Sequence, residues 1–265
     1  MKNDQTRSCL LATLVLAVGC SGTCGQAKEN PVPSENSPPD EPTPRNVSPV
    51  EKPQANTNAD TGGDVVIAEL VSFAFDDDEV GTVPKSIELK ETAGRGTPAV
   101  WKVVADESAP SKPGAFGTVE TKNKGRTYNV ALVTASSLKD VEISLRVKSV
   151  KGKEDQGGGP IWRAADADNY YIARWNPLED NFRIYYVKGG ERDQIASVKI
   201  RLSPKKWYDM KIIMKGKHIE GWLDGEKKLE VDDETFGEAG MVGLWTKADA
   251  ETLFDDFVAR PVATE

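Results

Sequence analysis

The chain has 265 residues, a formal net charge of −8, 38% hydrophobic residues and a single histidine, His218. That length suits one large β domain or two small ones, and a modestly acidic chain without any Lys/Arg block argues against a nucleic-acid partner. Three cysteines, Cys9, Cys20 and Cys24, crowd the N-terminus, which leaves no disulfide framework and no His/Cys metal centre for the rest, and neither a G-x-S-x-G elbow nor a phosphate-cradling loop is present.

Residues 1–20 read as a secretory segment. Lys2 and Arg7 precede a short apolar stretch from Cys9 to Val18, and Ala17-Val18-Gly19-Cys20 resembles a bacterial lipoprotein processing site. Cys20 is therefore the candidate acylated residue, and Ser21 after it points to export to the outer membrane, with the lipid anchor as the only membrane contact. Residues 21–63 are dominated by Pro, Asn, Glu, Ser and Thr, too poor in bulky apolar groups to offset chain entropy, and are expected to form a disordered linker.

From residue 64 to residue 265 the pattern changes to short apolar runs separated by Gly, Asp, Asn and Pro. Strands are expected at Val65–Phe75, Val100–Val104, Val130–Thr134, Val141–Val150, Ile195–Ile200, Trp207–Met214, Ile219–Leu223, Leu229–Val231, Met241–Thr246 and Thr252–Val258. Asp224-Gly225 supplies a two-residue hairpin turn. Many short strands without an amphipathic helix predict one all-β sandwich.

Three further strands lie between Gly157 and Gly190, and their register follows from their turns. With Pro177–Asp180 as a loop, Asn176 opposes Asn181, Trp175 opposes Phe182, Ala173 opposes Ile184 and Tyr171 opposes Tyr186; the preceding loop places Trp162 beside Tyr171. Alternation then puts Trp162, Tyr171, Ala173, Trp175, Phe182, Ile184 and Tyr186 on a core face. Ile161, Arg163, Tyr170, Ile172, Arg174, Asn176, Asn181, Arg183 and Tyr185 fall on the other.

These three strands, with the later W…LDG and VGLWTKA…FDDF elements, resemble the laminin-G/concanavalin A-like jelly-roll domains of the bacterial 3-keto-disaccharide hydrolase family over roughly residues 71–262. The resemblance implies a jelly-roll β-sandwich. It also implies an activity on glycosides, as a hydrolase or lyase of (3-keto-)glycosides, although the same architecture serves non-catalytic binding modules.

A sheet face carrying Arg163, Tyr170, Arg174, Asn176, Asn181, Arg183 and Tyr185, with Trp245 and Lys247 at its rim, offers the bidentate donors, amides and flat rings that hold a carbohydrate. A solvated face with surface ion pairs is the plainer alternative. Glu179 and Asp180 at the loop tip are candidate acid/base residues if the protein is an enzyme. Glu230, Asp232 and Glu234 have the E-x-D-x-E spacing of a retaining glycosidase, yet they read better as a solvated turn after a strand. Asp76, Asp78 and Asp256, on neighbouring first and last strands, are candidate ligands for a structural Ca²⁺. Three functions stay open: a carbohydrate-binding module, an enzyme on glycosides, and an envelope scaffold without a small ligand.

Overall fold

A computed structural model describes residues 70–263; the secretory segment, the linker and Cys20 lie outside the described residues. Fifteen strands carry the fold: β1 (Val71–Phe73), β2 (Ile87–Glu91), β3 (Val100–Ala105), β4 (Gly114–Glu120), β5 (Tyr128–Leu138), β6 (Val141–Lys151), β7 (Gly158–Asp166), β8 (Asn169–Asn176), β9 (Asn181–Lys188), β10 (Glu191–Lys199), β11 (Trp207–Lys215), β12 (His218–Leu223), β13 (Glu226–Asp232), β14 (Gly240–Lys247) and β15 (Glu251–Pro261). They form two antiparallel sheets. One runs β13-β12-β11-β6-β15-β4-β3, with β1 added on β15; the other runs β10-β9-β8-β7-β14-β5-β2.

The core lies between the sheets and is set by alternation. In β11, Met210, Ile212 and Met214 point inward while Asp209, Lys211 and Ile213 do not. Trp162, Tyr171, Ala173, Trp175, Phe182 and Ile184 meet them from the other sheet. All five cross-strand pairs expected for the central strands are present: Trp162↔Tyr171, Tyr171↔Tyr186, Ala173↔Ile184, Trp175↔Phe182 and Asn176↔Asn181. Asp224 and Gly225 both take positive φ, 48° and 76°, as a tight hairpin turn requires.

Two strands depart from the expectation. β2 is short and charge-rich, and β4 reads as a loop because Gly114 and Gly117 interrupt it. Those glycines are what the packing needs. A Cβ on Gly117 would lie 2.0 Å from the Thr252 carbonyl oxygen, and one on Gly114 2.1 Å from that of Phe75.

The seven-stranded sheet is strongly curved. Five strand spacings separate β10 from β5, about 24 Å if the sheet were flat. Yet the Arg192 guanidinium on β10 lies 5.1 Å from the ring centre of Tyr128 on β5. The sheet must curl to bring them together, so its outer face is concave.

Candidate functional site

The concave face is closed by its own residues, which corrects the expectation of an open binding surface. Tyr170, Ile172, Arg174, Trp245 and Val130 are fully buried there, with Tyr128 and Tyr185 nearly so. Segment 92–97 lies across part of this face. Thr92 Oγ1 donates to the Ala167 carbonyl (2.8 Å) and shares a 2.7 Å hydrogen bond with the Tyr170 hydroxyl, while the Ala93 amide donates to Asp168. Glu191 then takes Arg95 and Arg126, each at 2.6 Å, and ties the edge strand to the loops opposite. Tyr170 and Trp245 thus serve as packing, the Trp245 indole donating to the Tyr170 hydroxyl (3.1 Å), and neither is a solvent-facing platform.

Arg192 reaches in from β10 over the aromatic rings of this face. Its guanidinium sits 4.3 Å from the ring centre of Tyr185, 5.1 Å from that of Tyr128 and 5.5 Å from that of Trp245. Stacking on three rings compensates part of the cation's desolvation. Its Nη1 is nevertheless buried without a hydrogen-bond partner among the described residues. An unpaired buried donor of this kind is costly and calls for a reason. Sequence reasoning missed Arg192 because two of its three partners, Trp245 and Tyr128, lie four and five strands away.

At one end of the face the charged residues form a continuous relay. Lys247 Nζ lies 3.3 Å from Asp155 Oδ2, which accepts from Arg174 Nη1 at 2.9 Å. Arg174 Nη2 donates to Glu179 Oε2 at 2.8 Å, and Arg183 Nη1 donates to the same oxygen at 3.0 Å. Arg174 and Asp155 are wholly buried, whereas Arg183 is 30% and Glu179 36% exposed. Asn176 donates to Asp155 Oδ1 (3.1 Å) and Asn181 donates to Glu179 Oε2 (3.0 Å), so both amides brace the relay from inside. Asp155, in the loop before β7, went unnoticed in the sequence. Its one signal is that a strand arginine pointing into a closed face needs a carboxylate.

Glu179 is a fixed anion. Partial burial pushes its carboxyl up, but the hydrogen bond and charge of Arg174, with Asn181 and Arg183, outweigh that and lower it from 4.5 to about 2. Held ionised in this way, it is poorly suited to the acid half of the expected acid/base role. Asp180 does not join it; its residue takes φ 51° and its carboxylate bonds Arg201 at 2.9 Å. Because the folded value lies below the ordinary one, Glu179 stabilises the fold above about pH 4.5, and that contribution is lost as pH falls towards about 2. Urea unfolding across this window should therefore show a shallower loss for Glu179→Gln than for the parent chain.

Glu179 Oε2 is saturated by its three donors, while Oε1 has only a 3.4 Å contact from Arg174. The rim thus presents one fixed acceptor, Glu179 Oε1, beside the partly exposed Arg183, with Lys247 further along the relay on Asp155.

Arg163 has left this face. The ladder slips between Trp162 and Asp166, and Arg163 takes φ 46° at that bulge. Its guanidinium donates to the carbonyls of Lys139 (2.7 Å), Phe236 (2.8 Å) and Gly216 (2.7 Å) and to Asp140 (3.1 Å) at the far end of the sandwich.

The metal expectation is also corrected. β1 does pair with β15, but Asp76 accepts from the Gly114 amide (2.8 Å), and Asp76, Asp78 and Asp256 do not assemble. The one group of three within ligand distance among the described residues is His218, Glu220 and Glu230. Lys227 already neutralises both glutamates, at 3.1 and 2.7 Å. Glu230 and Asp232 share an exposed face of β13, which continues through Asp232 instead of turning before it, and Glu234 lies beyond the strand. Of the three, only Glu234 borders a cavity among the described residues, so they do not flank one glycosidic bond together.

Two antiparallel sheets packed face to face with this strand order define a jelly-roll β-sandwich. Residues 90–258 match the family model described as a 3-keto-alpha-glucoside-1,2-lyase-like domain, and the chain belongs to that family. Among solved structures it resembles carbohydrate binding module CBM66 from Bacillus subtilis, at 17% identity and a TM-score of 0.51 over 65% of this chain and 94% of that one. It also resembles the cellulose induced protein Cip1, at 13% identity and a TM-score of 0.54 over 74% of this chain and all of that one. At such identities the likeness concerns the fold alone. No curated protein matches the sequence.

Proposed function

We propose that the protein binds a carbohydrate at the Glu179–Arg183–Lys247 rim of the concave face. The observation that carries this reading is the state of Glu179. Three donors lock one carboxylate oxygen and keep the group ionised, leaving the other oxygen as a rigid acceptor beside the partly exposed Arg183 guanidinium. Sugar hydroxyls both donate and accept, and a fixed acceptor with adjacent donors meets two neighbouring hydroxyls at once. The buried Arg174–Asp155 pair holds this geometry before any ligand arrives, which lowers the ordering cost of binding. On the sequence reading of Cys20, the domain would present this rim from a lipid anchor at the cell envelope.

Membership of the lyase-like family favours a second reading, turnover of 3-keto-glycosides at the same rim. There Glu179 would act as a proton acceptor and the arginines would hold the keto-sugar oxygens. A carboxyl held at about 2 is a weak base, so the binding reading is preferred.

A glycan array followed by calorimetry on the full chain tests both. Arg183→Ala and Lys247→Ala should each weaken saccharide binding about tenfold, as expected for one charge-assisted hydrogen bond. Glu230→Ala, on the opposite sheet, should leave it unchanged. Unaltered affinity in the Arg183→Ala/Lys247→Ala double variant would overturn the rim, and release of product from a 3-keto-glucoside would select the second reading.

A further inference from the structure

A cavity of about 500 Å³ lies far from the rim, at the opposite end of β7 and β8. Lys139, Arg163, Lys217, Asp233, Glu234 and Phe236 line it. We propose that it is a second, independent saccharide site that takes a neutral pyranoside.

The frame of the cavity is rigid. Arg163 donates to carbonyls of the β5–β6 turn, the β11–β12 turn and the β13–β14 connection, so one buried guanidinium ties three loops together. Asp140 accepts from both Arg163 (3.1 Å) and the Gly216 amide (2.8 Å) and neutralises that cation. The Tyr171 hydroxyl donates to Asp233 Oδ1 (2.6 Å) and accepts from the Phe236 amide (3.1 Å). The Tyr171 ring meets Phe236 edge-on, centres 5.2 Å apart at 80°. Such bracing, at a bulge where a non-glycine residue holds positive φ, is the pattern of a built site.

What the frame leaves free is what a sugar uses. Asp233 Oδ1 is occupied by Tyr171 and the Thr235 amide, while Oδ2 has no hydrogen-bond partner among the described residues. Glu234 and Lys217 are exposed and 3.6 Å apart, a loose pair that a hydroxyl can bridge. The half-buried ring of Phe236 gives a flat apolar wall for the C–H face of a pyranose. The volume is within the range of small-molecule sites. Charge selects against ions. Lys217 is already shared by Glu234 (3.6 Å) and Asp232 (3.7 Å), and Arg163 is held by Asp140, so an ionic ligand would have to displace an existing partner of either cation.

The test uses ¹⁵N-labelled full chain titrated with methyl α-D-glucopyranoside and with maltose, reading the Gly216 and Gly237 amides that border the cavity. Saturable shifts at both are expected. Glu234→Gln and Lys217→Ala, both at exposed positions, should weaken these shifts about tenfold in apparent affinity. The same variants should leave shifts around Arg183 unchanged, and Arg183→Ala should leave the Gly216 and Gly237 response intact, so the two sites fail separately. Absence of saturable shifts at these glycines, shifts insensitive to both variants, or tighter binding of D-glucuronate or D-glucosamine would overturn the proposal.

Discussion

Asp155→Ala should destabilise the domain by about 3 kcal/mol, the low end of the cost of breaking a buried pair, because Glu179 still holds the other nitrogen of Arg174. Asp155 and Arg174 are both wholly inaccessible to water. The aspartate also accepts from the Gly157 amide (2.7 Å) and from Asn176 (3.1 Å). Truncation would strand a guanidinium, an amide and a backbone N–H together, and no water can reach Arg174 to replace the acceptor. Urea unfolding monitored by tryptophan fluorescence reads the effect as a fall in midpoint at constant slope. The double variant Asp155→Ala/Arg174→Met should recover much of the loss, because removing both charges removes the desolvation penalty. If Asp155→Ala alone unfolds within about 1 kcal/mol of the parent, the pair is not sequestered from solvent.

The second large effect belongs to the core. Phe182→Ala should cost about 3–5 kcal/mol through lost transfer energy and the cavity left behind. Phe182 is fully buried opposite Trp175, and it packs so closely on β12 that a Cβ on Gly221 would approach its ring to 2.9 Å. The two sheets cannot close on the gap without losing the β11–β12 ladder, so little relaxation is available. The same unfolding assay measures it, and a loss below about 1.5 kcal/mol would mean that this side chain does not fill the space between the sheets.

The register of the central strands was legible because it is local. Turn residues and a two-residue period fix which side chain faces the core, and the ring pairs from Trp162 to Tyr186 follow from that alone. β4 was not legible, since its glycines signal a loop until the backbones of β15 on Gly117 and of Phe75 on Gly114 are known to press on them. The closure of the concave face was not legible either. It depends on curvature, on Arg192 reaching Tyr128, and on a segment that joins the face through Thr92, all of them contacts between residues more than sixty positions apart. Alternation placed Arg163 on the same face as Arg174, but the bulge after Trp162 turned it away towards the loops at its end of the sandwich. The Arg, Asn and Glu of the candidate site were found as a group. Their division into a buried brace (Arg174, Asn176, Asn181) and an exposed rim (Glu179, Arg183) required the structure.

The most direct measurement is a crystal structure of the full chain with a saccharide from the glycan array bound. The account predicts that two adjacent hydroxyls meet Glu179 Oε1 and the Arg183 or Lys247 cation, with segment 92–97 still in place. A sugar ring lying instead beneath that segment, against Tyr170 and Trp245, would contradict it.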